Sequence, residues 1–407
     1  MPLNASTVAR KFGGRFRDLY VGTAIVLQGT LILLVVLEGG MTAWRAARRD
    51  RGPMASVVAN WQVLSKAYPG ISQDDLVQLL HETDQARAFV YAPWVQFAVP
   101  PVTGRFVNSD MSRRSNGASE DWATATPDGQ HFDVYFFGGS TMYGFAVQDA
   151  ETLPAHFEAQ APPEWRVRSF NYGQPYYYSR QETLLFELAL RRGDRPSAVV
   201  FMDGLNESLE MTAPYLRVPF FTPLLERRMA APLDFMSFAL GLNTMAALNK
   251  VGVAPSPTSV SHASYALPSD VPIETVATQT FENYLENIRF TQVMCDAYRV
   301  ACFFVWQPVP MVGYHRATDT LSSQAPQVPA TLLYDKVHAM ADPPRGFIDL
   351  SRFHDRFTGQ PFVNNFHYSG PFMAAMARSL MSCVRPPGSA GEPWSEGERI
   401  PIPECEQ

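Results

Sequence analysis

Hydrophobic positions along this chain fall into three kinds of run, and each predicts a different element. The first is continuous: Leu19 to Leu37 carries no charged side chain, a length sufficient for one helix to cross a bilayer. The second is short and dense. Asp133 to Phe137, Val167 to Phe170, Ala198 to Met202, Cys302 to Trp306 and Gly346 to Ile348 are rich in Val, Phe and Ile, as expected of strands buried on both faces of a parallel sheet. The third recurs at helical spacing with polar residues between, as in Arg180 to Arg191 and Glu282 to Tyr298. Strand and helix patterns alternate, which predicts the α/β class: a three-layer α/β/α sandwich on a five-stranded parallel sheet, plus one N-terminal transmembrane helix.

The same pattern sets the expected domains. Residues 1–18 precede the span at 19–37, and residues 38–90 form a juxtamembrane stalk or packing extension. There Ser72 followed by Gln73 to Leu80 reads as a short capped helix. Residues 91–385 form the main domain, in which Tyr91 to Ser109, with Pro100-Pro101 between, is expected to wrap the rest. Alternation lapses in an insertion at 208–280, beginning Pro214 to Phe221 and including the helix candidate Phe235 to Leu248 and a linker-like Pro255 to Ser259. A lid or substrate wall and plain surface elaboration both fit it. Residues 386–407 read as a tail.

Composition narrows the partners. A net charge of −6 offers no basic footprint for nucleic acid. Arg10, Lys11, Arg15 and Arg17 before the apolar run are balanced by Arg45, Arg48, Arg49 and Arg51 after it, so charge alone does not orient the helix. A cleaved signal peptide is the rival reading; the long apolar stretch and the lack of a small-x-small site after Glu38-Gly39-Gly40 favour an uncleaved anchor. Of the four cysteines, Cys295, Cys302, Cys383 and Cys405, no pair has zinc-site spacing. One or two disulfides are open in an oxidising compartment, with Cys302 expected as a buried core thiol.

The chemistry concentrates where strands end. Phe136-Phe137-Gly138-Gly139-Ser140-Thr141 is an apolar strand that breaks into glycines and ends on a serine at a helix start. A hydroxyl there can lose its proton to a nearby base while the helix N–H groups stabilise the oxyanion it creates; plain helix capping is the alternative. Asn171-Tyr172-Gly173 follows the second strand run and Asp203-Gly204-Leu205-Asn206-Glu207 the third. Asn364-Asn365-Phe366-His367 precedes a helical stretch near the C-terminus. In an open parallel sheet the strand ends gather at one edge, so Ser140, Gly173, Asn206 and His367 are expected in one crevice.

In order and context this quartet resembles the SGNH, or GDSL, hydrolases, over roughly Phe132 to Leu380. The resemblance implies a flavodoxin-like SGNH fold, with Ser140 as nucleophile and His367 as general base and then acid. It also implies an oxyanion hole from the Ser140 and Gly173 N–H groups and the Asn206 amide. Gly139 stands where the family often has Asp, and Gly-Gly-Ser-Thr is similar to membrane-linked bacterial members associated with surface polysaccharides. The family also places Asp three residues before the His, whereas this chain has Asn364. In a serine-protease triad that change costs roughly ten-thousandfold in turnover. Three outcomes are open: a backbone carbonyl orients the imidazole, another acid such as Asp349 or Asp355 reaches it, or the site is slow or inactive. His354 reads as a surface or outlying residue on a polar loop, and Tyr176-Tyr177-Tyr178 as gap-filling aromatics or a sugar-stacking surface.

The implied function is a membrane-anchored serine esterase or O-acyltransferase acting on an O-acylated, above all O-acetylated, cell-envelope saccharide, with no metal or organic cofactor. The alternatives are a catalytically weak glycan-binding or assembly subunit of an envelope complex, and a lipid-ester hydrolase. The branch resembled implies a bacterial inner-membrane protein with one span, a cytoplasmic N-terminus and a periplasmic catalytic domain.

Overall fold

The computed structural model describes residues 5–49, 51–110, 112–113, 131–209, 271–316, 319, 321–322 and 328–386. The chain divides into two compact units, residues 1–52 with 220–264 and residues 53–219 with 265–407. In the first, the described element is helix α1 (Ala5–Arg49). Its stretch Tyr20–Trp44 is, among the described residues, the one helix long and apolar enough to cross a membrane, and Leu27, Leu31, Ile32 and Val36 on it are exposed. A membrane span and a signal sequence share this signature.

The second unit begins in α2 (Arg51–Ala67) and α3 (Gln73–Gln85). The Ser72 hydroxyl caps α3 as its sequence predicts, accepting the Asp75 N–H at 3.1 Å. A hairpin of β1 (Val90–Ala92) and β2 (Gln96–Ala98) follows, then β3 (Val102–Thr103), β4 (Asn108–Asp110) and β5 (Ser112–Arg113). The remaining strands are β6 (Phe132–Gly138), β7 (Val167–Asn171), β8 (Ala198–Asp203), β9 (Ala301–Trp306) and β10 (Phe347–Asp349). Between and after them lie α4 (Ser140–Tyr143), α5 (Leu153–Gln160), α6 (Ser179–Arg192), α7 (Leu205–Leu209), α8 (Ile273–Tyr298), α9 (Val328–His338) and α10 (Gly370–Leu380).

The sheet order is β10-β9-β8-β6-β7-β5-β4-β3. The five predicted strands pair in parallel, β10 to β7, and carry the layered α/β architecture. Their all-apolar runs are explained by two covered faces. Tyr135, Phe137, Val199, Phe201, Phe304 and Trp306 pack with α6, α8 and α9, while Phe136, Val200, Met202, Phe303 and Val305 pack with α5 and α10. On the first face Phe137, Phe201 and Phe304 stack across neighbouring strands at 5.1 and 5.4 Å.

The sheet extends beyond the five expected parallel strands. Residues 102–113 add three short antiparallel strands, joined to β7 by the single pair Arg113↔Asn171. They carry no hydrophobic run, and the buried Arg113 is held by hydrogen bonds instead. It is fully buried, and its guanidinium donates to Asp149 and to the carbonyls of Tyr143, Gly144 and Val147. α2 and α3 pack in the same unit, with Leu64, Leu76 and Leu79 against Phe106, Tyr143, Phe145 and Val363. The Glu82 carboxylate ties α3 to the next segment by accepting the N–H groups of Arg105, Phe106 and Val107.

Two further expectations change. Cys302 is not a free core thiol: Cys295, near the end of α8, and Cys302, in β9, form a disulfide inside the core. Seven residues apart, they meet because the left-handed turn at Arg299 reverses the chain from helix into strand. His354 is not at the surface. It is fully buried in a 3-10 turn, with its ring edge-on to Tyr314 at 5.2 Å. The lid candidates Pro214 to Phe221 and Phe235 to Leu248, the linker Pro255 to Ser259 and Cys405 lie outside the described residues.

Candidate active site

The crevice forms where the strand order reverses. β7 lies on one side of β6 and β8 on the other, so the carboxyl ends of these three neighbours converge. Ser140 is the first residue of α4, directly after β6. A first helical residue has no intrahelical acceptor for its N–H, so that of Ser140 remains available to a ligand. The side chain is partly exposed, whereas Gly139 and Thr141 are buried.

His367 arrives from the far end of the chain on a loop fixed by the Phe362↔Tyr368 bridge and by the Val363 N–H donating to the His367 carbonyl at 2.9 Å. Its Nε2 lies 2.9 Å from Ser140 Oγ, and its Nδ1 lies 3.0 Å from Asn364 Oδ1. The pair predicted from the sequence is therefore in hydrogen-bonding contact, and Asn364 occupies the orienting position.

The amide orientation of Asn364 is decided by its other contacts. Oδ1 also accepts the Phe366 N–H at 2.9 Å and the His367 N–H at 3.0 Å, and only the oxygen can accept two backbone donors. With oxygen facing the ring, Nδ1 must carry the proton and Nε2 is left as the acceptor for the serine hydroxyl. This is the tautomer a general base needs, and the amide provides it without a charge.

Asp349 and Asp355 do not reach His367. Asp349 ends β10 beside His338, 3.7 Å from its Nε2, and accepts the Ser351 N–H. Asp355 pairs with Arg352 at 2.8 Å. Instead of a carboxylate, the imidazole has Phe145 stacked on it at 4.7 Å, and the Arg87 guanidinium lies 4.7 Å from the same phenyl ring. Burial, and secondarily the Arg87 charge, push His367 down to about 3, so the base is neutral over the ordinary pH range.

Gly173 and Asn206 both border the nucleophile turn. A Cβ on Gly173 would sit 2.3 Å from the Tyr143 backbone N, so only glycine lets β7 approach α4 this closely. The Gly173 N–H donates to Asn171 Oδ1 at 2.9 Å, while Asn171 Nδ2 donates to the Met142 carbonyl at 3.0 Å. Asn206 donates one amide hydrogen to the Tyr177 carbonyl at 2.5 Å and lies against Gly139, where an added Cβ would meet Nδ2 at 2.3 Å. Its second amide hydrogen and the Ser140 N–H are the uncommitted donors; the Gly173 N–H is engaged.

Sequence reasoning missed several supporting residues. Gln307, the first polar residue after β9, has its Oε1 accept from Thr141 Oγ1 at 2.7 Å and from the Tyr368 hydroxyl at 3.0 Å, which ties the nucleophile helix to the histidine loop. Its place after a strand was the available signal. Arg113 gave none, since a lone Arg in a polar stretch reads as surface. Beneath Asn206 lie three buried carboxylates, Glu182, Asp203 and Glu207. Glu207 accepts the N–H groups of Ser179 at 2.7 Å and Gly204 at 2.8 Å, which brackets the start of α6 against the end of β8. Both oxygens of Glu182 are buried, and its carboxyl lies beside that of Asp203. Burial first, and the neighbouring acids next, hold Glu182 and Asp203 well above the usual carboxylate range. Of the tyrosine run, Tyr177 is buried with its hydroxyl on the Phe97 carbonyl, whereas Tyr176 is exposed.

No family model matches the chain, and no curated protein matches it. Among solved structures it is similar to a member of the lipolytic protein G-D-S-L family from Veillonella parvula, at 11% identity and a TM-score of 0.32, covering 61% of this chain and 96% of that one. It is similar to an acetyl xylan esterase at 10% identity and a TM-score of 0.32, covering 61% and 98%. A mutant of an acetylxylan esterase from Geobacillus stearothermophilus matches at 12% identity and a TM-score of 0.31, covering 61% and 92%. Likeness at this level carries no chemistry from one protein to another. In this chain Ser140, Gly173, Asn206 and His367 lie around the carboxyl edge of the sheet, and the solved structures to which it is similar include proteins described as members of the lipolytic G-D-S-L family.

Proposed function

We propose that this protein is a membrane-anchored serine esterase or O-acyltransferase of SGNH type, acting on O-acetylated saccharide of the cell envelope. The observation that carries the reading is the line Ser140 Oγ to His367 Nε2 to Asn364 Oδ1, at 2.9 and 3.0 Å, with the amide oxygen held toward the ring. His367 removes the hydroxyl proton as Ser140 attacks the acyl carbonyl. Charge developing on the carbonyl oxygen is met by the Ser140 N–H and the Asn206 amide, each worth on the order of a hundredfold in rate when correctly placed. His367 then returns the proton to the leaving sugar oxygen. Water or a second sugar hydroxyl resolves the acyl-serine by the same steps in reverse.

The Tyr20–Trp44 stretch supports an inner-membrane anchor, and the Cys295–Cys302 disulfide supports an oxidising compartment such as the periplasm. A second reading, a glycan-binding or assembly subunit with weak turnover, is favoured by the neutral Asn364 and the engaged Gly173 N–H. Labelling with a fluorophosphonate probe, beside Ser140→Ala and His367→Ala, separates the two. Adduct on Ser140 that depends on His367 is expected. A folded protein that takes no adduct would point to the binding role.

A further inference from the structure

Arg87 is a cation set beside a reacting imidazole that has no anion of its own. It belongs to the segment just after α3, is half-exposed, and among the described residues pairs with one carboxylate, that of Asp84, at 3.6 Å. Its guanidinium lies over Phe145, and Phe145 stacks on His367. Two residues on, Phe89 meets the exposed Tyr176 edge-on at 5.9 Å, and Tyr177 beside it accepts the Asn206 amide. Residues 87–89 therefore contact the ring that stacks on His367 and the residue next to Tyr177, whose carbonyl holds Asn206.

We infer that the saccharide this site takes is acidic, and that a carboxylate on a sugar ring at or next to the acylated one pairs with Arg87. The inference rests on the proposed ester chemistry and names its substrate class. The physical reason is charge balance. As Ser140 attacks, His367 becomes an imidazolium. In an acid-backed triad a carboxylate offsets that charge, but here the backing group is a neutral amide and the nearby fixed charge, Arg87, has the same sign. A substrate carboxylate on Arg87 removes the repulsion and places an anion near the forming cation. A neutral sugar leaves both costs in place. The half-exposed guanidinium meets its partner partly in water, so the advantage is about two- to fivefold rather than the larger factor of a buried pair.

The test compares acetylated tri-galacturonate with acetylated xylotriose on the full-length protein in detergent. The kcat/KM ratio, acidic over neutral, is expected at about two to five for the wild type, falling toward one in Arg87→Gln and partly kept in Arg87→Lys. The ratio should shrink as salt is raised. A wild-type ratio of one or below, or a ratio unchanged in Arg87→Gln, overturns the inference. Binding of the same two sugars to Ser140→Ala, measured by calorimetry, reads Arg87 without turnover. Preference for the acidic sugar there, lost in Ser140→Ala/Arg87→Gln, upholds the inference even if no esterase activity is found; equal binding overturns it. Absent probe labelling of Ser140, by contrast, sinks the esterase reading alone.

Discussion

On the proposed serine-ester chemistry, replacing Asn364 by Asp is expected to speed turnover, and the size of the gain follows from the site. Aspartate keeps the turn, since its oxygen still accepts the Phe366 and His367 N–H groups, and it keeps the tautomer, since a carboxylate accepts only. What changes is the charge 3.0 Å from Nδ1. Two unit charges with centres about 4 Å apart interact by about 4 kcal/mol at an effective dielectric of 20. The carboxylate must also be desolvated and shares its charge with two backbone donors, so about 2 kcal/mol is a fair net gain, on the order of thirtyfold in kcat. Asn364→Leu removes the acceptor from three donors and frees the imidazole to adopt either tautomer, for a loss on the order of a thousandfold or more. Both variants would be assayed on 4-nitrophenyl acetate and by probe-labelling rate, with thermal melts to confirm folding. If Asn364→Asp is no faster, the charge account fails. Were a folded Asn364→Leu as active as the wild type, the tautomer account would fail too.

Three other outcomes are expected. Because His367 sits at about 3, kcat/KM should stay level as pH falls well below the usual histidine range and drop only near pH 3 to 4, with an acid limb near 6.5 counting against the assignment. The limb should move upward in Asn364→Asp. Glu182 and Asp203 keep their protons in the folded state where the unfolded chain loses them above about pH 4, so unfolding releases protons and these groups lower stability as pH rises. Glu182→Gln should therefore raise the melting temperature relative to wild type, more at pH 8 than at pH 5, and an equal shift at both would refute this. Gly173→Ala would drive a methyl into the Tyr143 backbone N, which a rigid turn cannot avoid. A loss of at least tenfold in probe labelling with a folded melt is expected, and normal labelling would show that β7 and α4 need no such close approach.

Much of the fold was legible because its strands are buried on both faces. Burial forces continuous apolar runs, and the runs at Asp133 to Phe137, Ala198 to Met202 and Cys302 to Trp306 each lie within an observed strand. The gathering of Ser140, Gly173, Asn206 and His367 at one edge was legible for a related reason. Parallel strands align their carboxyl ends, so polar residues after successive runs share one edge without any knowledge of side-chain packing.

What the sequence could not contain is which neighbour satisfies each polar group. Asn364 read as a defective acid because its identity shows the missing charge and not the two backbone N–H groups that hold its oxygen toward His367. His354 read as surface, and Arg113 gave no signal, because burial of a charged or titratable side chain depends on partners elsewhere along the chain: four acceptors for Arg113, aromatic rings for His354. Arg87 was assigned to a stalk, 280 residues from His367, and only packing of the extension against Phe145 brings it to the site. Local pattern determined the elements and the edge where chemistry would gather. The hydrogen-bond partners, the charge balance around the imidazole and the Cys295–Cys302 link were decided by tertiary contacts, because each depends on distances between segments that no local pattern encodes.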